Sequence, residues 1–349
     1  MIREAIETVT DGYSLTFAQA AAVMGEIMSG EATPSQIAAL VTALRVKGET
    51  VDEIAGLASA MRDKAIPVRT TPPVIDTCGM GGDKSGSSNI STGAALIAAG
   101  AGLKVAKHGN RAMSSHCGSA DVLEALGVKI DLGAEAVAEC LERIGLCFML
   151  ATIFHPAMKF AAATRREIGI RTVFNILGPL TNPARAEFQV IGVPTIELGE
   201  KTAHVLQRLG SKHALVVHGK DGMDEISISG RSLVWEVTPD GVLPPYEVSP
   251  NDFGFEEASP EEIKGGTPED NAEIMRRILS GERGAKRNIA VMNTAAALVA
   301  GGRTPDLAAG ARLAEEVIDS GRALEKLESL VNLSQSLDRK GSNGKQHAR

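Results

Sequence analysis

The periodicity of the chain changes once, at Pro67, and that change points to a helical unit joined to an alternating α/β unit. Before it come three amphipathic helices with explicit start and stop signals. Thr16 and Gln19 make a capping-box pattern ahead of Phe17, Ala21, Met24 and Met28, which share one helical face, and Gly30 ends that helix. Thr33, Pro34 and Gln36 open the next, with Ile37, Leu40, Val41 and Leu44 on its inner face and Gly48 closing it. Thr50 and Glu53 start the third, which carries Ile54, Leu57, Ala58 and Met61. Helices this short are marginal alone in water, so their apolar faces must pack on each other or on a second copy of the chain.

After Pro67, short strands at Val74–Ile75, Lys104–Ala106 and Ala214–Val217, with apolar runs at 147–150 and 188–193, alternate with helical stretches. Those stretches are 90–99, 120–126, 134–144 and 196–209. Such alternation predicts a mostly parallel sheet with helices on its faces, so the expected class is α/β with a small N-terminal helical bundle. Residues 227–237 read as antiparallel strand material around Gly230. Three helices are expected from Glu269, and residues 334–349 are expected to be disordered.

Formal charge is 36 − 43 = −7 and the isoelectric point is about 5.6, which argues against non-specific nucleic-acid binding. Four cysteines without a Cys-x-x-Cys pair disfavour a zinc ribbon or a disulfide scaffold and fit a reducing cytoplasm. The N-terminus is too polar for a signal peptide, and no apolar run approaches the ~18 residues of a membrane span. The expected location is cytoplasmic.

Five stretches carry chemistry. Asp76 to Asp83 follows a strand, and Gly79, Gly81 and Gly82 let backbone N–H groups converge on an anion. It is neither a Walker loop nor a dinucleotide fingerprint, since Lys84 stands where the latter needs glycine. Next, Asn89, Ser91, Thr92 and Gly93 mark a helix start whose hydroxyls either cap the helix or meet a diphosphate or metal. Lys107 to Asp121 packs cations, glycines and serines into a loop after a strand, a phosphate-binding composition. His155 is followed by Arg165 and Arg166, and a guanidinium near an apolar wall suits carboxylate recognition. Asp224 and Glu225 lie beyond a strand end, where paired acids suit Mg²⁺.

Taken in order, DTCGMGGD, NISTG, KHGNRAMSS, GSADVLEALG, HPAMK, RTVFNILGPLTNP and MDEIS closely resemble the anthranilate phosphoribosyltransferases. So do GEATPSQIAALVTALRVKGET, GTPEDNAEIMRRILSGE and NTAAAL, and the resemblance spans roughly residues 3 to 333. It implies transfer of the phosphoribosyl group of 5-phosphoribosyl 1-diphosphate to the amine of anthranilate. The sugar diphosphate would be surrounded by Gly79, Gly82, Asp83, Ser87, Asn89, Ile90, Ser91, Thr92, Lys107, His108, Gly109, Asn110, Arg111, Ala112, Met113, Ser114, Ser115 and Ser119. Lys107 and Asp83 are the expected catalytic groups. Ser91, Asp224 and Glu225 would hold Mg²⁺, two ions per site. Anthranilate would meet Gly79, Asn110 and Arg165, with His155 and Pro179 nearby.

The resemblance also implies a homodimer formed through the helical domain (residues 1–68, joined by roughly 164–183), with residues 69–163 and 184–333 as the α/β domain. Small departures are Met80 and Ser87, where threonine is usual, and His116, where lysine is frequent. A pyrimidine nucleoside phosphorylase-like enzyme would carry its own lysine- and serine-rich phosphate loop in place of Gly79–Asp83. A non-catalytic nucleic-acid-binding homologue is disfavoured by the acidic charge and the intact Asp224–Glu225 pair.

Overall fold

In the computed structural model, which describes residues 1–71, 73–83, 85–112 and 116–346 (side chains through 339), each threonine makes the helix start it announces. Thr16, Thr33 and Thr50 each accept from the backbone three residues on, and Gln19, Gln36 and Glu53 reach back in reciprocal capping boxes. Each cap contributes about 1 kcal/mol. The helices are α2 (Phe17–Ser29), α3 (Pro34–Lys47) and α4 (Val51–Lys64), preceded by α1 (Ile2–Thr10), which the sequence reading does not assign. Helix α1 is short and polar, but Ile2, Ala5 and Val9 form a buried stripe along it.

The α/β part continues with β1 (Ile75–Gly79), α5 (Ile90–Gly100), β2 (Val105–Gly109), α6 (Ser119–Ala125), α7 (Ala134–Ile144), β3 (Leu146–Leu150) and α8 (Ala151–Phe154). Next come α9 (Lys159–Ile168), α10 (Phe174–Leu177), β4 (Phe188–Gly192), α11 (Ile196–Arg208), β5 (His213–Gly219), β6 (Ser232–Thr238), β7 (Gly241–Val242) and β8 (Tyr246–Val248). The chain closes with α12 (Pro268–Leu279), α13 (Ala285–Ala300), α14 (Leu307–Asp319) and α15 (Arg322–Gln346). The sheet order is β3-β2-β1-β4-β5-β6-β7, with β8 also on β6. Strands β1 to β5 are parallel, and β6 returns antiparallel to β5. Chain order reverses between β1 and β4, the crevice where open α/β sheets bind ligands.

Two readings are corrected here. Residues 227–237 do not form strand on both sides of Gly230: Ser232–Thr238 alone is strand, and it pairs β5. The C-terminal segment expected to be disordered is helical as far as Gln346, which adds a fourth helix to the expected three. Ala323, Leu327, Leu330 and Leu333 bury one face of α15 against the α/β core.

The apolar faces of α2 to α4 are also not left over for a second copy. Val23, Met24, Ile37, Leu40, Leu44, Ile54 and Leu57 share one cluster with Ala161, Phe174, Leu177 and Leu180 from the α9–α10 region, and with Val216 and Trp235 of the sheet. Chain that leaves the sheet after β3 thus returns to complete the helical unit, and it brings Arg165 with it.

Candidate active site

The centre of the site is a buried set of charges at the switch between β1 and β4. A Cβ at Gly79 would overlap the Asp224 carboxylate, and one at Gly192, its neighbour on β4, would overlap the Asp224 carbonyl. Two glycines paired across the strand ends therefore let the Asp224–Glu225 segment lie directly on the sheet edge. Asp224 Oδ2 accepts from the Gly81 N–H at 2.5 Å. Glu225 Oε1 accepts from the Ser91 N–H at 3.1 Å, in the first turn of α5. Burial, reinforced by Asp83, pushes the Asp224 carboxyl up to about 7. Glu225 is pushed up further by burial and by Asp224, against the pull of Lys107.

Lys107 is 3% exposed. Its Nζ donates to the Thr77 carbonyl at 2.6 Å and lies 3.5 Å from Ser91 Oγ. Burial lowers its pKa, while Asp76, Cys78 and Glu225 oppose that shift. Fully buried Asp76 faces it and accepts from the His108 N–H at 3.2 Å and from Asn182 Nδ2 at 2.8 Å. One lysine among Asp76, Asp224 and Glu225 leaves an uncompensated negative charge, and the free donors around it are oxygens. That set fits a hard cation. Among the described residues no three His, Cys, Asp or Glu side chains form a closed metal cage. An ion held here would draw only part of its shell from protein, as Mg²⁺ does when substrate phosphates supply the rest.

The loops around this centre differ in how far their side chains are free. Ser85, Ser87 and Asp83 bond among themselves: the Ser85 N–H donates to Asp83 Oδ1 (3.2 Å) and the Ser87 N–H to Ser85 Oγ (3.2 Å). Ile90 and Thr92 are buried at 3% and 1%. The Thr92 hydroxyl has no partner and lies inside the core, so neither side chain is presented to a ligand. Arg111 turns outward to Glu124 (2.7 Å) and Asp121 (3.1 Å), away from Lys107. Asp121 also accepts from the Ala112 and Gly118 N–H groups, which shapes the loop. Asn110 is exposed, and its carbonyl lies 3.4 Å from Ser119 Oγ, which packs against Gly109. Met113, Ser114 and Ser115 lie outside the described residues.

On the opposite side, Arg165 stands half-buried on α9 with its guanidinium 5.3 Å from the Phe174 ring centroid. Burial lowers its pKa, and among the described residues no carboxylate pairs with it. The His155 and His108 rings lie 5.1 Å apart at a 55° tilt, next to the turn at 178–181 that contains Pro179. Burial holds both rings neutral, His108 at about 3 and His155 at about 4, and the Nε2 of each is buried without a partner. The structure thus gathers Gly79, Ser91, Lys107, Asp224 and Glu225 at one point, and His108, His155 and the Pro179 turn at another. Arg165 reaches neither through any contact among the described residues.

The helical-bundle model of a glycosyl transferase family matches residues 3–65, and that family's α/β-domain model matches residues 71–324. The anthranilate phosphoribosyltransferase of Dehalococcoides mccartyi is 58% identical over 338 residues, covering 97% of this chain and 99% of that one. That of Chloroflexus aggregans is 59% identical over 334 residues, 95% of this chain and 98% of the other. The chain belongs to the anthranilate phosphoribosyltransferase family. Its fold superposes on the Thermus thermophilus member with a TM-score of 0.90 at 45% identity, covering 95% of this chain and 99% of that one. A Saccharomyces cerevisiae member, solved in complex with PRPP and Mg, gives 0.88 at 28% identity over 96% and 98%.

Within this family frame, three residues beside the site escape the sequence reading. Asp76 and Asn182 anchor the β2 end beside Lys107, Asp76 accepting from the His108 N–H and Asn182 Nδ2 donating to the Ala106 carbonyl. Arg171 lies against Gly82, where a side chain would collide with its guanidinium, and its Nη2 donates to the Met80 carbonyl at 3.3 Å. Met80, one of the departures noted in the sequence, turns its side chain into the core at 8% exposure.

Proposed function

We propose that this enzyme transfers the phosphoribosyl group of 5-phosphoribosyl 1-diphosphate to the amine of anthranilate, releasing diphosphate and giving N-(5-phosphoribosyl)anthranilate. The observation that carries the reading is the buried Asp224–Glu225 pair laid across β1 and β4 beside Lys107. Relatives bearing this activity in their names support the substrate pair, and the Saccharomyces cerevisiae one is solved in complex with PRPP and Mg and, separately, with 4-fluoroanthranilate.

In this reading the C1–O bond to diphosphate breaks and a bond from the anthranilate nitrogen to C1 forms, after which the nitrogen loses its proton. Ser91, Asp224 and Glu225 would hold magnesium, two ions per site, which when bound would supply positive charge against the departing diphosphate. Lys107 adds a fixed cation there, and the N–H groups of the Gly79–Asp83 loop and the first turn of α5 face the same charge. Arg165 takes the acceptor's carboxylate, with Asn110 and the His155–Pro179 wall fixing the ring. The aromatic amine is neutral at pH 7, so positioning replaces a general base.

We further propose a cytoplasmic homodimer joined through the helical unit, which residues 164–183 complete. What supports that surface is exposure of Tyr13 (70%) and Val46 (82%) on neighbouring turns, tied by Lys47 Nζ donating to Ser14 Oγ. No described helix is long and apolar enough to cross a membrane.

The test follows anthranilate fluorescence with the sugar diphosphate and Mg²⁺, and measures released diphosphate in parallel. One diphosphate per anthranilate consumed is expected. Phosphorolysis of a pyrimidine nucleoside with no loss of anthranilate would overturn the reading.

A further inference from the structure

Asn89 occupies the N-cap of α5, where an asparagine side chain ordinarily accepts from the second or third N–H of its helix. It does not do so here. Its Oδ1 instead accepts from Asn271 Nδ2 at 2.9 Å, and its Nδ2 donates to the Cys117 carbonyl at 3.2 Å. Both ends of the amide are engaged, so the side chain is a joint between loops and is not free to hold a ligand. Its diversion leaves the Ser91 N–H, the second of the helix, to Glu225.

Asn271 is 3% exposed and 182 residues away in sequence. Its Oδ1 accepts from the Gly266 N–H at 2.8 Å. The same segment straps the diphosphate loop, since the Gly265 N–H donates to the Gly86 carbonyl (2.8 Å) and the Ser88 N–H to the Ile263 carbonyl (3.2 Å). Asn271 is not needed to start its own helix, because Thr267 and Asp270 already form the α12 capping box. A buried amide with both ends engaged between loops has a positioning task.

We infer that Asn271 is a positioning residue: by holding Asn89 away from the helix it caps, it leaves the Ser91 N–H to Glu225 and so fixes that carboxylate beside the diphosphate site. The inference rests on the assignment of Glu225 to the magnesium that accompanies the diphosphate. Without the donor from Asn271, Asn89 can rotate back and cap α5 itself, competing with Glu225 for the Ser91 N–H.

The experiment uses the full-length protein with Asn271→Ala, Asn271→Asp, Asn89→Ala and the double alanine variant. Calorimetric binding of Mg²⁺ with inorganic diphosphate is measured beside both KM values. Asn271→Ala should weaken diphosphate binding and raise the KM for the sugar diphosphate about tenfold, the scale of a lost buried hydrogen bond. The KM for anthranilate should stay within about twofold. Asn271→Asp keeps the acceptor for Gly266 but cannot donate to Asn89, so it should behave like the alanine variant, and it carries the test if alanine fails to fold. Asn89→Ala should recover part of the loss in the double variant, because a residue that cannot cap cannot compete. Unchanged diphosphate affinity in Asn271→Asp, equal shifts in both KM values, or losses that multiply in the double variant would each overturn the inference. Diphosphate binding does not depend on the acceptor, so a protein that binds it through this clamp yet ignores anthranilate would contradict the proposed function alone.

Discussion

The diphosphate half of the cleft and the acceptor half are built on opposite plans. In the first, the central ionisable side chains are buried and hydrogen-bonded: Lys107 among Asp76, Thr77 and Ser91, Asp224 on Gly81, Glu225 on Ser91. In the second, Arg165 rests on an aromatic ring with no acid beside it, and Asn110 faces solvent. The first half hangs on strand ends of one sheet, so its geometry exists before any substrate arrives. The second is carried on α9, which packs with α2 and α3 as part of the helical unit, so its geometry depends on how that unit sits over the sheet. In the proposed reading a strongly charged ligand meets a fixed field, and the aromatic acid meets Arg165, which has no acidic partner among the described residues.

The contrast is broken most sharply at the acids. Asp224→Asn combined with Glu225→Gln should lower turnover at micromolar Mg²⁺ by about 10²–10³-fold, since Lys107 and the loop N–H groups would then face the leaving group without the metal. Full activity at that metal concentration would remove both residues from the metal site. Lys107→Met should destabilise the protein by about 3–5 kcal/mol, the scale for stranding a buried charge. Adding Asp76→Asn should restore much of that stability without restoring activity, and urea unfolding of the three proteins checks it.

The histidine pair between the halves gives a smaller, pH-dependent effect. Both folded-state pKa values lie below the ordinary 6.5, so between pH 6.5 and about 4 the unfolded chain binds protons that the folded one does not. Stability from this source is complete above pH 6.5 and falls on acidification, by up to ~1.4 kcal/mol per pH unit for each ring. Asp224 works in the opposite sense, because its raised carboxyl protonates first in the fold. The difference between His155→Gln and the parent isolates the histidine contribution. The variant should lose about one proton's worth of acid slope in urea midpoints, and parallel curves would refute the buried neutral ring.

Much of this was legible in the sequence where the signal is local. The three capping boxes and the alternation after Pro67 are read from spacing, and the loops of the site stand at strand ends as that pattern requires. Helix α1 escaped because it is short and polar, and its apolar stripe gains meaning only when α3 covers it. The tail escaped because its polar composition resembles disorder, whereas it continues a helix whose buried face, Ala323, Leu327, Leu330 and Leu333, lies just before it. The side chains of Asn89 and Arg111 have long-range partners, Asn271 and Glu124, that spacing cannot pair with them, and the burial of Ile90 and Thr92 follows from packing that spacing does not show. Arg165 is the reverse case: its type and apolar neighbours were visible, and its lack of an acidic partner was not.

Arg165 is also where the division between the halves is tested most directly. Both KM values should be measured in Arg165→Ala by following anthranilate fluorescence. Losing a charge-assisted contact to the acceptor's carboxylate costs ~1.5–3 kcal/mol, so the KM for anthranilate should rise roughly 10- to 150-fold. The KM for the sugar diphosphate should hardly change, and Arg165→Lys should recover only part of the loss because a point charge cannot reproduce the guanidinium fork. Equal rises in both KM values would contradict the account, making Arg165 a support for the whole cleft and passing the carboxylate contact to another cation, Arg166 first.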